Sequence, residues 1–165
     1  MCMSGEARVS DELAVRDIYA ARRRIAGTAV ATPLVPSPAL SARAGAEVLL
    51  KLETTQPTGA FKLRGAANAV AALDAEAEAS GVVCCSTGNH GRAVAYAAKQ
   101  AGVRAVVCLS SLVPPVKVEA VAALGAEVRR IGNSQDEAQL EVDRLVAEEG
   151  MVEIPPFDHP HVVAG

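Results

Sequence analysis

Two kinds of hydrophobic pattern alternate along the second half of the chain. Short, mainly apolar runs predict strands at residues 82–85, 105–109, 127–131 and 151–154. The longer mixed segments between them, each ending near a glycine, predict helices at about 90–100, 114–124 and 134–150. The predicted order from Val82 onward is therefore β-α-β-α-β-α-β.

This regular alternation is typical of a parallel sheet with helices on both faces, which is a three-layer αβα arrangement. Such sheets bind ligands at the carboxyl ends of their strands, where loops lead into helices. The polar loop that follows strand 82–85 lies at such a point. It is therefore a candidate binding site.

The first half of the chain has weaker patterns. A helix is expected from a cap at Ser10 to about Ile25, after a disordered start at residues 1–9. Prolines force residues 32–36 into an extended conformation. The remaining elements predicted in this half are a short helix at 37–44, a strand at 47–53 and an alanine-rich helix at 61–79.

Composition narrows the range of functions. Half of the residues are hydrophobic but only 2% are aromatic, so the core must consist of Ala, Val and Leu. A net charge of -3 gives no electrostatic case for nucleic acid. No apolar run approaches the length of a membrane span, and the start of the chain lacks a signal-peptide core. The four cysteines match no zinc spacing, and we expect a cytoplasmic protein.

Lys62 lies in an apolar setting at the predicted start of a helix, next to Phe61. Burial would lower the pKa of its amine and free it as a nucleophile or base. The alternatives are an ordinary surface lysine and a Phe61 that belongs to the core. Arg64, two residues later, is a candidate for a structural ion pair.

The loop 86–90 combines hydroxyl, amide and imidazole side chains with Gly88 just before a predicted helix. The free N–H groups of a helix start favour a carboxylate or a phosphate. On the loop alone, a simple helix cap is the slightly better interpretation of these residues. His90 is either a ligand contact or a helix-start residue, and His159 with His161 indicates a polar loop rather than a metal site.

Together these two stretches resemble the signatures of a known enzyme family. Residues 56–66 read Gln-Pro-Thr-Gly-Ala-Phe-Lys-Leu-Arg-Gly-Ala, and residues 86–91 read Ser-Thr-Gly-Asn-His-Gly. Both are similar to the motifs of the pyridoxal-phosphate (PLP) enzymes of fold type II, in the threonine/serine dehydratase and serine racemase branch. The resemblance covers nearly the whole chain. Within that branch it is nearest to the dehydratases of hydroxyectoine utilisation.

The resemblance implies a tryptophan synthase β-like fold and a role for each site residue. Lys62 would form the Schiff base with PLP and later take the substrate's Cα proton, and Phe61 would lie against the ring. Asn89 would hydrogen-bond the phenolic oxygen of the ring. The substrate carboxylate would be held by Ser86, Thr87, Gly88, Asn89 and His90.

The implied activity is that of an ammonia-lyase. It would convert a β-hydroxy amino acid, of the threonine or serine type or derived from hydroxyectoine, to a 2-oxo acid and ammonia. Racemisation is the alternative, because Thr87 places a hydroxyl where racemases carry a serine. β-Replacement fits less well, because cysteine synthases typically read Ser-Val-Lys-Asp-Arg around their lysine. A third alternative is a non-catalytic remnant.

Two departures from the family pattern qualify this interpretation. Ala60 replaces the usual serine beside the lysine. Family members are also about twice as long, so the chain looks like a truncated enzyme that is a homo-oligomer when full length. In the family pattern, residues 1–80 begin a large PLP domain, 81–155 form a small α/β domain, and 156–165 return to the large domain. The missing part normally carries the glycine-rich phosphate loop and any cation site.

Overall fold

The computed structural model describes residues 13–165. The predicted cap at Ser10 and the predicted disorder of residues 1–9 lie outside this range. A four-stranded sheet is formed by β3 (Val82–Cys85), β4 (Ala105–Leu109), β5 (Glu127–Arg130) and β6 (Val152–Glu153). All its pairings are parallel, and the strand order is β5-β4-β3-β6. The predicted parallel sheet is confirmed.

The helices that join these strands lie on both faces of the sheet. They are α5 (Asn89–Ala101), α6 (Pro115–Ala122) and α7 (Gln135–Glu149). Since successive strand residues point to opposite faces, Cys84 and Val107 join the core formed with α5. Val83 and Val106 instead pack against Val142 and other apolar residues of α7. The predicted three layers are therefore confirmed.

The first half contains a small hairpin and several helices. These elements are α1 (Val15–Arg24), β1 (Leu34–Pro36), α2 (Pro38–Ala44), β2 (Leu49–Lys51), a 3₁₀ turn (Glu53–Thr55), α3 (Lys62–Val70) and α4 (Ala75–Ser80). β1 and β2 pair antiparallel, with Val35 opposite Leu50. The extended segment 32–36 is confirmed. The strand predicted at 47–53 is shorter than expected, because the chain turns at Glu53.

The single helix predicted at 61–79 is wrong, because the chain breaks between α3 and α4. Asp74 interrupts the alanine-rich pattern, and its side chain accepts a hydrogen bond of 2.9 Å from Ala77 N, which caps α4. Leu73, just before it, packs partly buried against the core. The local cap and the burial of Leu73 outweigh the helix propensity of the surrounding alanines.

The last helix, α8 (Pro160–Ala164), lies against α3. At Gly65 the two backbones approach so closely that an added Cβ would stand 2.6 Å from the carbonyl oxygen of Val162. The side chain of Asn68, which is fully buried, donates a hydrogen bond of 2.7 Å to His161 O. The tail of the chain is therefore held on the helix that begins with Lys62. None of the helices formed between residues 13 and 165 is long and apolar enough to cross a bilayer.

Candidate active site

Lys62 is the first residue of α3, and a tight turn places it there. Gly59 N donates a hydrogen bond of 2.7 Å to Gln56 O, and Gly59 adopts a left-handed backbone with φ of 74°. Side chains rarely tolerate that conformation, so glycine suits this position. Thr58 and Ala60 are buried on either side of the turn. The turn thus anchors the loop just before the lysine.

The amine of Lys62 lies among main-chain and aromatic groups. Its Nζ donates a hydrogen bond to the carbonyl oxygen of Pro156. Nζ also lies 5.5 Å from the ring centroid of Phe61 and 6.0 Å from that of Phe157, which is cation–π range. Phe61 is 60% exposed, so its assignment to the core is wrong. Lys62 itself is half-buried.

These groups line an open cleft of about 390 Å³, which we call the lysine cleft. Its lining residues are Phe61, Lys62, Arg64, Gly65, Pro156, Phe157, Asp158, Val162, Val163 and Gly165. Most of its surface is apolar, and the lysine amine is one of its few polar groups. Such a cleft suits a flat aromatic ring that carries a group able to react with an amine.

An ion pair fixes the start of α3. Arg64 donates to Glu53 from Nη2 at 2.7 Å and from Nε at 2.9 Å. Thr32 Oγ1 and Gln56 Nε2 donate to the same carboxylate at 2.6 and 3.2 Å. Hydrogen bonding by Arg64 is the main reason why the pKa of Glu53 falls from 4.5 to about 2. The structural ion pair expected for Arg64 is confirmed.

Gln56 and Glu53, which hold the loop before Lys62 and the start of α3, were not predicted from the sequence. Gln56 accepts a hydrogen bond from Val30 N at 3.0 Å and donates one to Val30 O at 2.9 Å. Its buried amide therefore ties the lysine loop to the segment before β1. Gln56 stands in the motif that we quoted, but nothing in its local sequence shows that its partner is Val30. Glu53 lies within the strand predicted at 47–53, where the local sequence does not indicate an ion pair with Arg64.

The second loop joins β3 to α5. Ser86 is buried; its N donates to Cys108 O at 3.1 Å, and its Oγ accepts from Gly88 N at 3.3 Å. Thr87 and Asn89 are exposed. No side chain caps α5, whose N-cap residue is Gly88. The simple-cap interpretation is therefore wrong, and the first N–H groups of α5 remain available to an anion.

His90 connects this loop to β6. The ring is buried, and its Nε2 lies 2.8 Å from Ile154 O, so this nitrogen carries the proton and donates it. Nδ1 is buried and has no partner among the described residues. Burial is the main cause of a lowered pKa at His90, and the charge of Lys62 adds to it. His90 is therefore neutral at physiological pH.

The segment 154–156 links the two predicted stretches. Ile154 O accepts from His90, and Pro156 O accepts from Lys62. Lys62 and Phe61 line the lysine cleft. Thr87, Gly88 and Asn89 line a second opening of about 430 Å³, which we call the loop cleft. Ser86 and His90 line neither cleft, so the structure divides the predicted site residues among three locations.

Within residues 13–165, neither the cysteines nor the pair His159 and His161 form a further reactive or metal site. Burial raises the pKa of Cys85 to about 11 and that of Cys108 to about 12, so both thiols stay protonated. The centroids of the His159 and His161 rings are 5.7 Å apart. Within residues 13–165 there is no group of three or more His, Cys, Asp or Glu side chains that could hold a metal ion.

A family model described as pyridoxal-phosphate dependent enzyme matches residues 25–165. The chain belongs to this family of PLP-dependent enzymes. A protein of Sinorhizobium fredii, provisionally named a threonine dehydratase, is 55% identical over 93% of this chain and 46% of its own length. The L-threo-3-hydroxyaspartate ammonia-lyase of Saccharomyces cerevisiae is 40% identical over 90% of this chain and 46% of its own length.

Solved structures of PLP enzymes show the same fold. The serine racemase of Dictyostelium discoideum superposes with a TM-score of 0.87 at 35% identity, covering 93% of this chain and 50% of the racemase. The predicted PLP fold of type II is confirmed. This chain spans about half the length of the relatives named here.

Observations within the lysine cleft fit the family's cofactor. The chain offers a half-buried primary amine, two exposed aromatic rings within about 6 Å of it, and a mainly apolar lining. The amine has one hydrogen-bond partner, a main-chain oxygen, and makes no ion pair among the described residues. Lys62 and Phe61 line this cleft, whereas Asn89 lines the loop cleft.

Proposed function

We propose that this chain is the lysine-bearing part of a PLP-dependent ammonia-lyase. Its reaction would convert a β-hydroxy amino acid to a 2-oxo acid and ammonia. The observation that carries the proposal is the Lys62 amine, which lies in an aromatic cleft and is joined through residues 154–156 to the loop at the start of α5. The names of the relatives support the same class of reaction.

PLP, when bound, supplies an electron sink that makes the Cα–H bond of an amino acid acidic. Lys62 would hold the cofactor, and its amine would be the base that moves the Cα proton. Phe61 would pack against the ring, and Asn89 would donate a hydrogen bond to the phenolic oxygen. The exposed positions of Phe61 and Asn89 support these roles.

The loop at the start of α5 holds the substrate carboxylate. Residues in the first turn of a helix offer N–H groups that have no partner within the helix, and no side chain caps this helix. Thr87 adds an exposed hydroxyl, the buried Ser86 shapes the loop by accepting a hydrogen bond from Gly88 N, and Gly88 leaves the approach open. His90 contributes its main-chain N–H, while its ring positions Ile154.

Racemisation is the second candidate function. The hydroxyl of Thr87 is exposed in the loop cleft, where it is open to a substrate, and one similar structure is a serine racemase. Threonine is bulkier than serine, so we assign elimination as the main reaction. The third interpretation, a non-catalytic remnant, predicts that the chain turns over no amino acid.

Finer features of the parent enzyme also belong to the proposal. The substrate would be of the threonine or serine type, or a β-hydroxy amino acid derived from hydroxyectoine. The protein would act in the cytoplasm as a homo-oligomer. Residues 1–80 would belong to a large domain, 81–155 to a small domain, and 156–165 to the large domain again. The contact of α8 with α3 supports that last assignment.

The test begins with covalent attachment of PLP. The purified chain is incubated with PLP, treated with borohydride and digested, and the labelled peptide is located by mass. We expect the label on Lys62, and its loss in Lys62→Ala. The matched control is Lys99→Ala, which changes an exposed lysine in α5 that lines neither cleft.

The second step measures 2-oxo acid and the D-isomer from L-threonine and L-serine. Formation of 2-oxo acid that requires Lys62 supports elimination, whereas accumulation of the D-isomer alone would favour racemisation. Equal labelling of the wild-type chain and Lys62→Ala would refute the assignment of Lys62. Labelling without turnover would show a chain that binds PLP but does not catalyse.

A further inference from the structure

The loop cleft concentrates positive charge. Two cationic residues, Arg92 of α5 and Lys117 of α6, share it with the polar loop residues, and Val116, Ala120 and Val121 form its apolar wall. No aspartate or glutamate is among its lining residues, although the chain as a whole has a net charge of -3. The cleft therefore differs in charge from the rest of the protein.

Arg92 differs from the other partly buried arginines. In the described part of the chain these are Arg64, Arg92, Arg129 and Arg144. The other three each form an ion pair with a glutamate at 2.9 Å or less. Within residues 13–165 Arg92 forms none, and its Nε is buried without a hydrogen-bond partner there. This nitrogen has lost hydration without gaining a partner from the protein, which favours an anion from outside beside the guanidinium.

The two helix starts reinforce this charge. Arg92 comes three residues after the first residue of α5, and Lys117 two after that of α6; neither first turn contains an acid. By contrast, α1, α4 and α7 carry acids in their first turns, as helix dipoles favour. Placing cations at two positive helix ends is unfavourable unless an anion lies between them.

The same cleft contains the loop that we assign to the substrate carboxylate. Thr87, Gly88 and Asn89 line it together with the two cations, within about 430 Å³. A small amino acid such as threonine needs only one anion site. The second group of donors has an obvious use if the substrate carries a second carboxylate on its side chain.

We propose that Arg92 and Lys117 bind a side-chain carboxylate of the substrate, so that the enzyme selects a dicarboxylic β-hydroxy amino acid over threonine or serine. This inference rests on the proposed function, in which the loop at the start of α5 holds the first carboxylate of the substrate. The binding preference itself depends only on residues of the loop cleft. It can therefore be measured without PLP and without turnover.

The experiment compares succinate with butyrate, which has the same number of carbons but only one carboxylate. Each is titrated into the chain at constant ionic strength and followed by calorimetry and by the amide resonances at the start of α5. We expect succinate to bind at least tenfold more tightly. Arg92→Gln and Lys117→Gln should each weaken succinate binding by about tenfold to a hundredfold, since each removes a charge-assisted contact.

Controls separate charge from structure. Arg92→Lys keeps the charge and should restore part of the affinity. Arg43→Gln changes an exposed arginine of α2 outside both clefts and should leave binding unchanged. Circular dichroism checks that each variant is folded. If Arg92→Gln unfolds the chain, Lys117→Gln serves as the test, because Lys117 is exposed and its truncation leaves no cavity.

Three results would overturn the proposal. These are equal affinity for succinate and butyrate, succinate binding that Arg92→Gln and Lys117→Gln leave unchanged, and inorganic phosphate binding as tightly through the same residues. The last would show a general anion site. If PLP labels Lys62 but succinate does not bind more tightly than butyrate, the proposed function stands and the dicarboxylate site is disproved. If succinate binds as expected while PLP does not label Lys62, the dicarboxylate site stands without the catalytic assignment.

Discussion

The ion pair between Arg64 and Glu53 leads to a prediction about pH and stability. Glu53→Gln keeps the shape of the side chain but removes its charge. In the folded chain the pKa of Glu53 is lowered from 4.5 to about 2, chiefly by hydrogen bonding from Arg64. At about 1.4 kcal/mol per pH unit, this lowering corresponds to about 3 kcal/mol of stability. Both partners are mostly shielded from solvent, at 27% and 21% exposed, so screening removes little of it.

The sign follows from the direction of the shift. Because the folded chain holds this carboxyl ionised at a lower pH than the unfolded chain does, its contribution is complete above pH 4.5. It declines as the pH falls from 4.5 towards 2. We therefore expect Glu53→Gln to lower the free energy of unfolding by about 2–3 kcal/mol at pH 7, and by about half as much at pH 3.

The assay is urea unfolding of both proteins at several pH values, followed by circular dichroism. Only the difference between wild type and variant is interpreted, because Glu141 has a similarly lowered pKa and also titrates. Glu47→Gln, at an exposed carboxylate without an ion pair among the described residues, is the matched control. A difference that stays constant between pH 7 and pH 3 would refute the reasoning, as would a difference below about 0.5 kcal/mol at pH 7.

Three further predictions follow from the packing around the site. Gly65→Ala should destabilise the chain by about 1–3 kcal/mol in urea, because its Cβ would meet the backbone of α8; an unchanged midpoint would contradict that contact. The stability advantage of wild type over His90→Gln should shrink as pH falls from 7 to 5, since burial lowers the pKa of His90 below 6.5 and the unfolded chain then binds more protons. A constant advantage would contradict a neutral, buried His90. Cys85 and Cys108 should resist iodoacetamide until the chain is unfolded, as shown by peptide mass, because burial keeps both thiols protonated; rapid labelling in the native state would disprove it.

The local pattern of apolar residues was sufficient to predict the parallel sheet. Each of the buried runs 82–85 and 105–109 can only be covered by helices on both sides, and their sequence shows this without knowledge of distant residues. The ends of the helices could also be predicted from the local sequence. Ser134 caps α7 at the start of the predicted range 134–150 by accepting from Glu137 N at 3.1 Å, and Gly102 and Gly150 end their helices in left-handed conformation.

The errors occurred where distant contacts compete with local preference. The break between α3 and α4 depends on Leu73 reaching the core, and the pairing of β1 with β2 depends on how the intervening α2 returns the chain, which local pattern does not specify. Phe61 was expected in the core or against a ring, and its 60% exposure is decided by the elements that surround it. Apolar character alone does not show which side chains find a partner.

The sequence by itself determined the family, the alternation of elements and the lysine that we propose as the reactive one, because these depend on residue types at short spacing. The tertiary structure decided what that lysine touches. Its Nζ meets Pro156 O, which is 94 residues away along the chain, because β6 pairs with β3 and carries the following segment back to α3. It also decided that Arg92, alone among the partly buried arginines between residues 13 and 165, lacks an acidic partner. Ion pairing depends on which elements the fold brings together, and no local pattern records that.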